Sequence, residues 1–332
     1  MYAAEDTRQV ATLDALRRLS RTEMERVDAL IRESLESDVL LVSQVAEYII
    51  GSGGKRLRPL LVLLCARALG YEGEQHIRAA TIIEFIHTAT LLHDDVVDAS
   101  DRRRGRHTAN HVFGNQASVL VGDFLYSRSF QMMVRIGDMQ VMDILADATN
   151  TIAAGEVMQL MNVHDPDTTE ERYLEVIYRK TAKLFEAGAA ISAVLAGQPD
   201  SVREAMAEYG RKLGAAFQLV DDALDYRASP DELGKDLGDD LAEGKPTLPL
   251  IHAMNTGTPN QRALIREAIE NGGLESLAPV QAAIEATGAL DYTARRAQKA
   301  ADEAIAALSA LPESDHKEAL VAVAEFAVNR RS

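Results

Sequence analysis

Two aspartate clusters of the same form, HDDVVD at 93–98 and VDDALD at 220–225, lie inside stretches that otherwise read as apolar helix. Each places carboxylates at i, i+1 and i+4. Residues four apart share a helix face, so Asp94 projects with Asp98 and Asp221 with Asp225. Like charges crowded in this way are unfavourable unless something positive lies between them. The flanks, IIEFIHTATLL and LGAAFQLV, are too apolar for solvent-facing helix, so the carboxylates need partners inside the fold. Hard divalent cations such as Mg²⁺ take oxygen ligands and are readily shared between carboxylates and substrate phosphates. The repetition therefore points to a phosphate group clamped by metal from two sides rather than to a solvated acidic face.

The rest of the chain supports such helices. Ala, Leu, Glu and Arg dominate, and no run alternates apolar and polar residues clearly enough to read as a strand. The periodicity predicts helices over about 7–35, 37–50, 59–69, 75–99, 115–136, 139–163, 169–197, 199–227, 246–255, 259–270, 274–286, 288–309 and 314–330. Turn chemistry separates them, as in GSGGKR, GYEGE, DPDTT, GQPDS and NTGTPN. Asp167, Thr168 and Thr169 before Glu170 and Glu171 mark a helix start. With no linker or low-complexity tract, residues 1–332 are expected to form a single all-α bundle domain, 1–35 being an N-terminal helical extension. The net charge of −16 argues against nucleic acid as a partner. Cys65 is the only cysteine, which excludes an internal disulfide and a cysteine zinc site. The N-terminus lacks the regions of a signal peptide, and the apolar run Pro59 to Leu69 is too short to span a bilayer. A cytoplasmic protein is expected.

Basic segments accompany the acids. In GSGGKRLRP (51–59), glycines allow close approach of backbone N–H groups to an anion, while Lys55 and Arg58 supply charge. The segment is not a Walker A loop, since Ile49 and Arg56 stand where glycine and Ser/Thr are needed. DRRRGRH (101–107) follows the first cluster directly, and arginine suits bidentate phosphate contact. His107 and His111 have zinc-like spacing without an evident third ligand. His87 falls two turns before Asp94 on the same face, and Gln218 can hydrogen-bond across the second cluster. Lys180 and Thr181 are polar residues in apolar helix, and Lys235 and Lys245 follow the second cluster. Two carboxylate faces, an anion loop and an arginine pair imply two phosphorylated substrates, and the apolar interior implies that the remainder is hydrocarbon.

GGKRLRP, LLHDDVVDASDRRRG, FQLVDDALDY and GKDLGDDLAEGKPTLPL together resemble the trans-isoprenyl (polyprenyl) diphosphate synthases, over about residue 40 to the C-terminus. The resemblance implies an isoprenoid-synthase-type bundle around a central apolar tunnel and a Mg²⁺-dependent condensation of isopentenyl diphosphate onto an allylic diphosphate, farnesyl diphosphate being the expected primer. On the residues that match, it implies that Asp94, Asp98 and Asp221, with Asp222 and Asp225 assisting, hold about three Mg²⁺ per site. Arg103, Lys180 and Lys235, with Thr181 and Gln218 nearby, would contact the allylic diphosphate. Lys55, Arg58, His87 and Arg104 would bind isopentenyl diphosphate, with Lys245 a further candidate. Departure of diphosphate leaves an allylic cation that must be kept from water.

Product length is expected to be set below the first cluster, where Ala89 and Thr90 are small, with Met132, Met133 or Phe130 toward the floor. The expected product is octaprenyl, with nonaprenyl the alternative, for quinone side chains, from a homodimer that delivers it to membrane enzymes. A terpene cyclase would not need the GGKRLRP segment, and a regulatory synthase subunit would not need both clusters intact.

Overall fold

The computed structural model describes residues 18–51, 54, 56–103, 105–227 and 238–330. The chain enters through α1 (Arg21–Ser34), α2 (Leu40–Gly51) and α3 (Leu57–Ala68), then α4 (Gln75–Val97). A hairpin of β1 (Arg102–Arg103) and β2 (Arg106–His107) leads into the short α5 (Ala109–Phe113). Next come α6 (Asn115–Ile136), α7 (Met139–Asn162), α8 (Glu170–Ile177), a π-helical turn (Tyr178–Ala182), α9 (Lys183–Leu195) and α10 (Asp200–Arg227). Then follow α11 (Asp239–Ala242), α12 (Leu248–Thr256), α13 (Pro259–Asn271), α14 (Leu277–Ala286) and α15 (Ala289–Ala307). A 3₁₀ turn (Leu308–Ala310) precedes α16 (Asp315–Asn329).

Local chemistry sets the helix starts. Asp138 caps α7 by accepting from the N–H groups of Gln140 and Val141, and Thr169 caps α8 with Glu170 and Glu171 in the first turn. Thr258 and Gln261 form a capping box ahead of α13, whose first residue is Pro259. Packing then holds the helices. α4 lies against α3, α6 and α9, and α9 in turn packs on α7 and α10. Phe85, Ile86, Leu92, Leu125, Met133, Leu145 and Ile191 belong to one core between α4, α6, α7 and α9. Leu61, Phe185, Tyr209, Leu213 and Leu320 belong to a second, reaching α16, where Tyr209 donates to the Leu320 carbonyl at 2.8 Å. Each fully buried large side chain contributes about 1.5–3 kcal/mol. α4 and α9 carry buried residues around most of their circumference, as helices interior to a bundle must.

Three expectations change. The uninterrupted helix over 169–197 is broken by the π turn at 178–182, which carries Lys180 and Thr181. Glycines make room for its extra residue on both sides. A Cβ at Gly155 of α7 would lie 2.6 Å from Arg179 Cβ, and one at Gly214 of α10 would lie 2.6 Å from Ala182 Cα. The basic DRRRGRH segment, which gave no strand signal, closes into the hairpin with Arg102 opposite His107 and Arg103 opposite Arg106, turning through Gly105 at φ 73°. The expected helix over 7–35 is interrupted by a turn at Ser20 before α1 begins at Arg21, and residues 1–17 lie outside the described residues. Among the described residues no helix is long and apolar enough to cross a membrane.

Candidate active site

One cavity of about 880 Å³ gathers residues from most of the bundle. The face of α4 supplies His87, Thr90, Leu91 and Asp94, and Asp98 follows as the C-cap residue of that helix. From α10 come Phe217, Gln218, Asp221, Asp222, Leu224 and Asp225. The two aspartate motifs, separated in sequence by more than a hundred residues, thus line the same space. A carboxylate at a helix C-terminus opposes the helix dipole, so Asp98 adds to the need for positive charge.

The cations that meet this need come from separate elements. Lys180, on the π turn, reaches Asp94 at 3.4 Å and Glu156 of α7 at 2.6 Å. Lys245, after α11, reaches Asp98 at 3.1 Å and also pairs with Glu243. The carboxyl of Glu156 is pushed up by burial against the pull of Lys180, with Asp94 and Asp98 adding to the rise. The Lys180 ammonium is held above its ordinary value because Asp94 and Glu156 outweigh its desolvation. It therefore stays charged in the cavity.

Within each DD pair the partners diverge. Asp95 points away from the cavity, fully buried, with Oδ1 accepting from Arg103 Nε at 2.9 Å and lying 2.7 Å from Arg103 Nη2. Asp222 is nearly as buried and has both oxygens occupied. The Tyr173 hydroxyl donates to one oxygen, and Gln218 Nε2 donates to the other at 2.7 Å. Gln218 Oε1 accepts from the Thr181 hydroxyl at 2.9 Å, so these four side chains form one chain of hydrogen bonds along the wall. Asp225 accepts from the Asp240 backbone N–H at 3.1 Å, tying α10 to α11.

The basic entrance lies at the start of α3. Arg58 Nη1 is 3.2 Å from His87 Nε2, and its guanidinium stacks on Phe185 at 4.5 Å. Arg56, in the left-handed region at φ 49°, pairs with Glu84. Lys55, Arg104 and Lys235 lie outside the described residues.

The residues near the first motif divide between cavity and core. Thr90 and Leu91 line the cavity, but Ala89 and Met133 do not. Both are packed, with Met132, in the core of α4, α6 and α7, and Phe130 is 41% exposed. Ala89 lies five residues before Asp94, rotated off the cavity face on which Thr90, four residues before, is found. Arg330, just after α16, is 9% exposed. It bonds Asp221 Oδ1 at 2.7 Å, donates to the carbonyls of Phe217 and Ala327, and stacks on the Phe217 ring. Arg331 is outside the described residues. His107 and His111 stack on each other at 4.1 Å, and among the described residues no three His, Cys, Asp or Glu side chains form a closed metal site.

Glu156, Tyr173, Asp239 and Asp240 line the cavity without having been singled out from the sequence. An acid in the apolar run AAGEVMQLMN and the DD of GKDLGDD were the available signals.

The donor set fits a hard divalent cation. Asp94, Asp98, Asp221, Asp225, Asp239 and Asp240 offer oxygen alone, and no thiolate is near. An ion shared with a substrate phosphate needs only one or two carboxylates from each side. Asp222 fits less directly, its oxygens being taken.

A sequence model described as polyprenyl synthetase matches residues 39–287. The chain belongs to the polyprenyl synthetase family. It is therefore an enzyme, a prenyltransferase on the all-helical isoprenoid-synthase fold. It is 56% identical over 319 residues to the octaprenyl diphosphate synthase of Escherichia coli strain K12, covering 96% of this chain and 99% of that protein. It is 47% identical to a geranyl-diphosphate-specific all-trans-nonaprenyl-diphosphate synthase of Rhodobacter capsulatus, covering 92% of this chain and 94% of that one. A polyprenyl synthase from Caulobacter crescentus CB15, crystallised with calcium and isoprenyl diphosphate, superposes with a TM-score of 0.93 at 45% identity, over 96% of this chain and 98% of that one.

Proposed function

We propose that this prenyltransferase extends farnesyl diphosphate with isopentenyl diphosphate by successive 1′-4 condensations and releases all-trans octaprenyl diphosphate for quinone side chains. The observation that carries the reading is the single cavity in which both aspartate motifs face basic side chains from α3, the π turn and the C-terminus. Asp94 and Asp98 on one wall, with Asp221 and Asp225 on the other, would hold Mg²⁺, about three ions per site, and Asp222 would orient Gln218 and Thr181. Bound metal supplies Lewis-acid stabilisation of the departing diphosphate. Lys180 and Arg103, with Lys235, offer N–H donors to that leaving group. Arg58 and His87, with Lys55 and Arg104, hold the second diphosphate, so that the attacking double bond meets the allylic carbon in an effectively unimolecular step. Leu91, Val176, Ile177 and Phe217 form an apolar wall that keeps water from the cation.

The whole chain works as one unit, since the cavity draws on residues from Gly54 to Arg330. Leu120, Val134, Val157 and Leu160 expose large apolar side chains on α6 and α7, a surface suited to a homodimer. The enzyme acts in the cytoplasm and passes its product to membrane enzymes.

Incubation with farnesyl diphosphate, isopentenyl diphosphate and Mg²⁺, followed by chromatography of the dephosphorylated products, should give octaprenol. A nonaprenol product would correct the length, and absence of elongation would remove the reading. Thr90 faces the cavity one turn before Asp94, so the steric test of product length belongs there. Thr90→Tyr should shift the product to shorter prenols in the same chromatograms, and an unchanged length would separate Thr90 from the path of the tail.

A further inference from the structure

Three of the motif aspartates that line the cavity are bound to basic side chains in this structure: Asp94 to Lys180, Asp98 to Lys245 and Asp221 to Arg330. The two lysines have a second carboxylate each, outside the motifs, and in both cases it is the nearer one. Glu156 holds Lys180 from α7 through Oε2, while its Oε1 is buried without a hydrogen-bond partner. Glu243 holds Lys245 from the position just after α11. An ammonium has three N–H donors and no acceptor, so Lys180, shared between Asp94 and Glu156, has one N–H beyond those two.

A partly buried ammonium is retained only while a counter-charge stays beside it. If Asp94 and Asp98 turn to bind a divalent cation, each lysine loses one anionic partner and gains a repelling neighbour. Neither glutamate belongs to an aspartate motif, and each is held by an element other than α4. We propose that Glu156 and Glu243 are positioning residues that keep Lys180 and Lys245 in the cavity once the aspartates are engaged. The N–H groups now directed at Asp94 and Asp98 are thereby released to the allylic diphosphate. This inference rests on the prenyltransferase reading of the cavity.

Its test is a double-mutant cycle in the full-length enzyme. Glu156→Gln should lower kcat/KM for the allylic diphosphate by roughly 10- to 100-fold, the scale of a lost charged hydrogen bond, with KM for isopentenyl diphosphate unchanged. Glu156→Asp should recover part of the loss. In a Lys180→Gln background, Glu156→Gln should add less than about twofold, because its effect runs through a lysine already removed. Calorimetric titration with inorganic diphosphate and Mg²⁺ should show the same coupling without turnover, and Glu243 with Lys245 forms a second, independent cycle. Additive losses in both cycles, or a Glu156→Gln enzyme with parental kinetics, would overturn the proposal. A parent enzyme that fails to elongate farnesyl diphosphate would instead overturn the proposed function, and that assay is read before any variant.

Discussion

Replacing Asp94 with alanine should reduce kcat by at least about 10³-fold, the scale of removing a main electrostatic contact to developing charge, and leave thermal stability near that of the parent. The same change at its neighbour Asp95 should do the reverse in emphasis. Asp94 opens on the cavity, where its loss relieves repulsion from Asp98 and leaves Lys180 paired with Glu156. Asp95 is fully buried and receives Arg103 through two nitrogens. Truncating it leaves a guanidinium without its buried counter-charge, at a cost of about 3 kcal/mol, the low end for a buried pair because Arg103 itself reaches solvent. Thermal melts and steady-state kinetics on the two variants separate the effects. An Asp94→Ala enzyme that retains most of its turnover would remove the first motif from the chemistry, as expected of a regulatory subunit. An Asp95→Ala enzyme as stable as the parent would show the Arg103 pair to be energetically empty.

The pairing of Asp94 with Asp98 and of Asp221 with Asp225 was readable from the sequence because it depends on helical rotation alone. So was the helical architecture, which follows from periodicity and caps. What escaped the sequence depends on contacts between distant elements. Arg330 reaches Asp221 only because α16 packs beside α10, and no local pattern distinguishes it from a loose terminal arginine. Glu156 carried the same signal as the aspartates, an acid in apolar helix, but singly and so without the repetition that made the motifs stand out. The π turn is invisible to periodicity because one extra residue shifts the helical phase by only about 100°. Nearness to Asp94 in sequence likewise does not tell wall from core, since one residue of rotation separates Thr90, on the cavity wall, from Ala89 in the core.

Gly155→Val should lower kcat by about 10²-fold while reducing stability by only about 1–3 kcal/mol. Gly155 sits on α7 where the π turn crosses it, and an added Cβ would stand 2.6 Å from Arg179 Cβ and 2.9 Å from the Lys180 backbone nitrogen. Backbone atoms cannot step aside as a side-chain tip can, so the turn itself must move. Lys180 and Thr181 both ride on that turn, and Thr181 is fixed to Gln218 and through it to Asp222. A displacement of about 1 Å therefore disturbs the contact to the first motif and the hydrogen-bond chain of the second together, and misplacement on that scale can cost 10²-fold in rate. The overpacking penalty, by contrast, is local and leaves both cores intact. Kinetics beside thermal melts decide the matter. Parental kcat in a destabilised Gly155→Val enzyme would show that the turn tolerates displacement, and that the cavity does not depend on where the π turn holds Lys180.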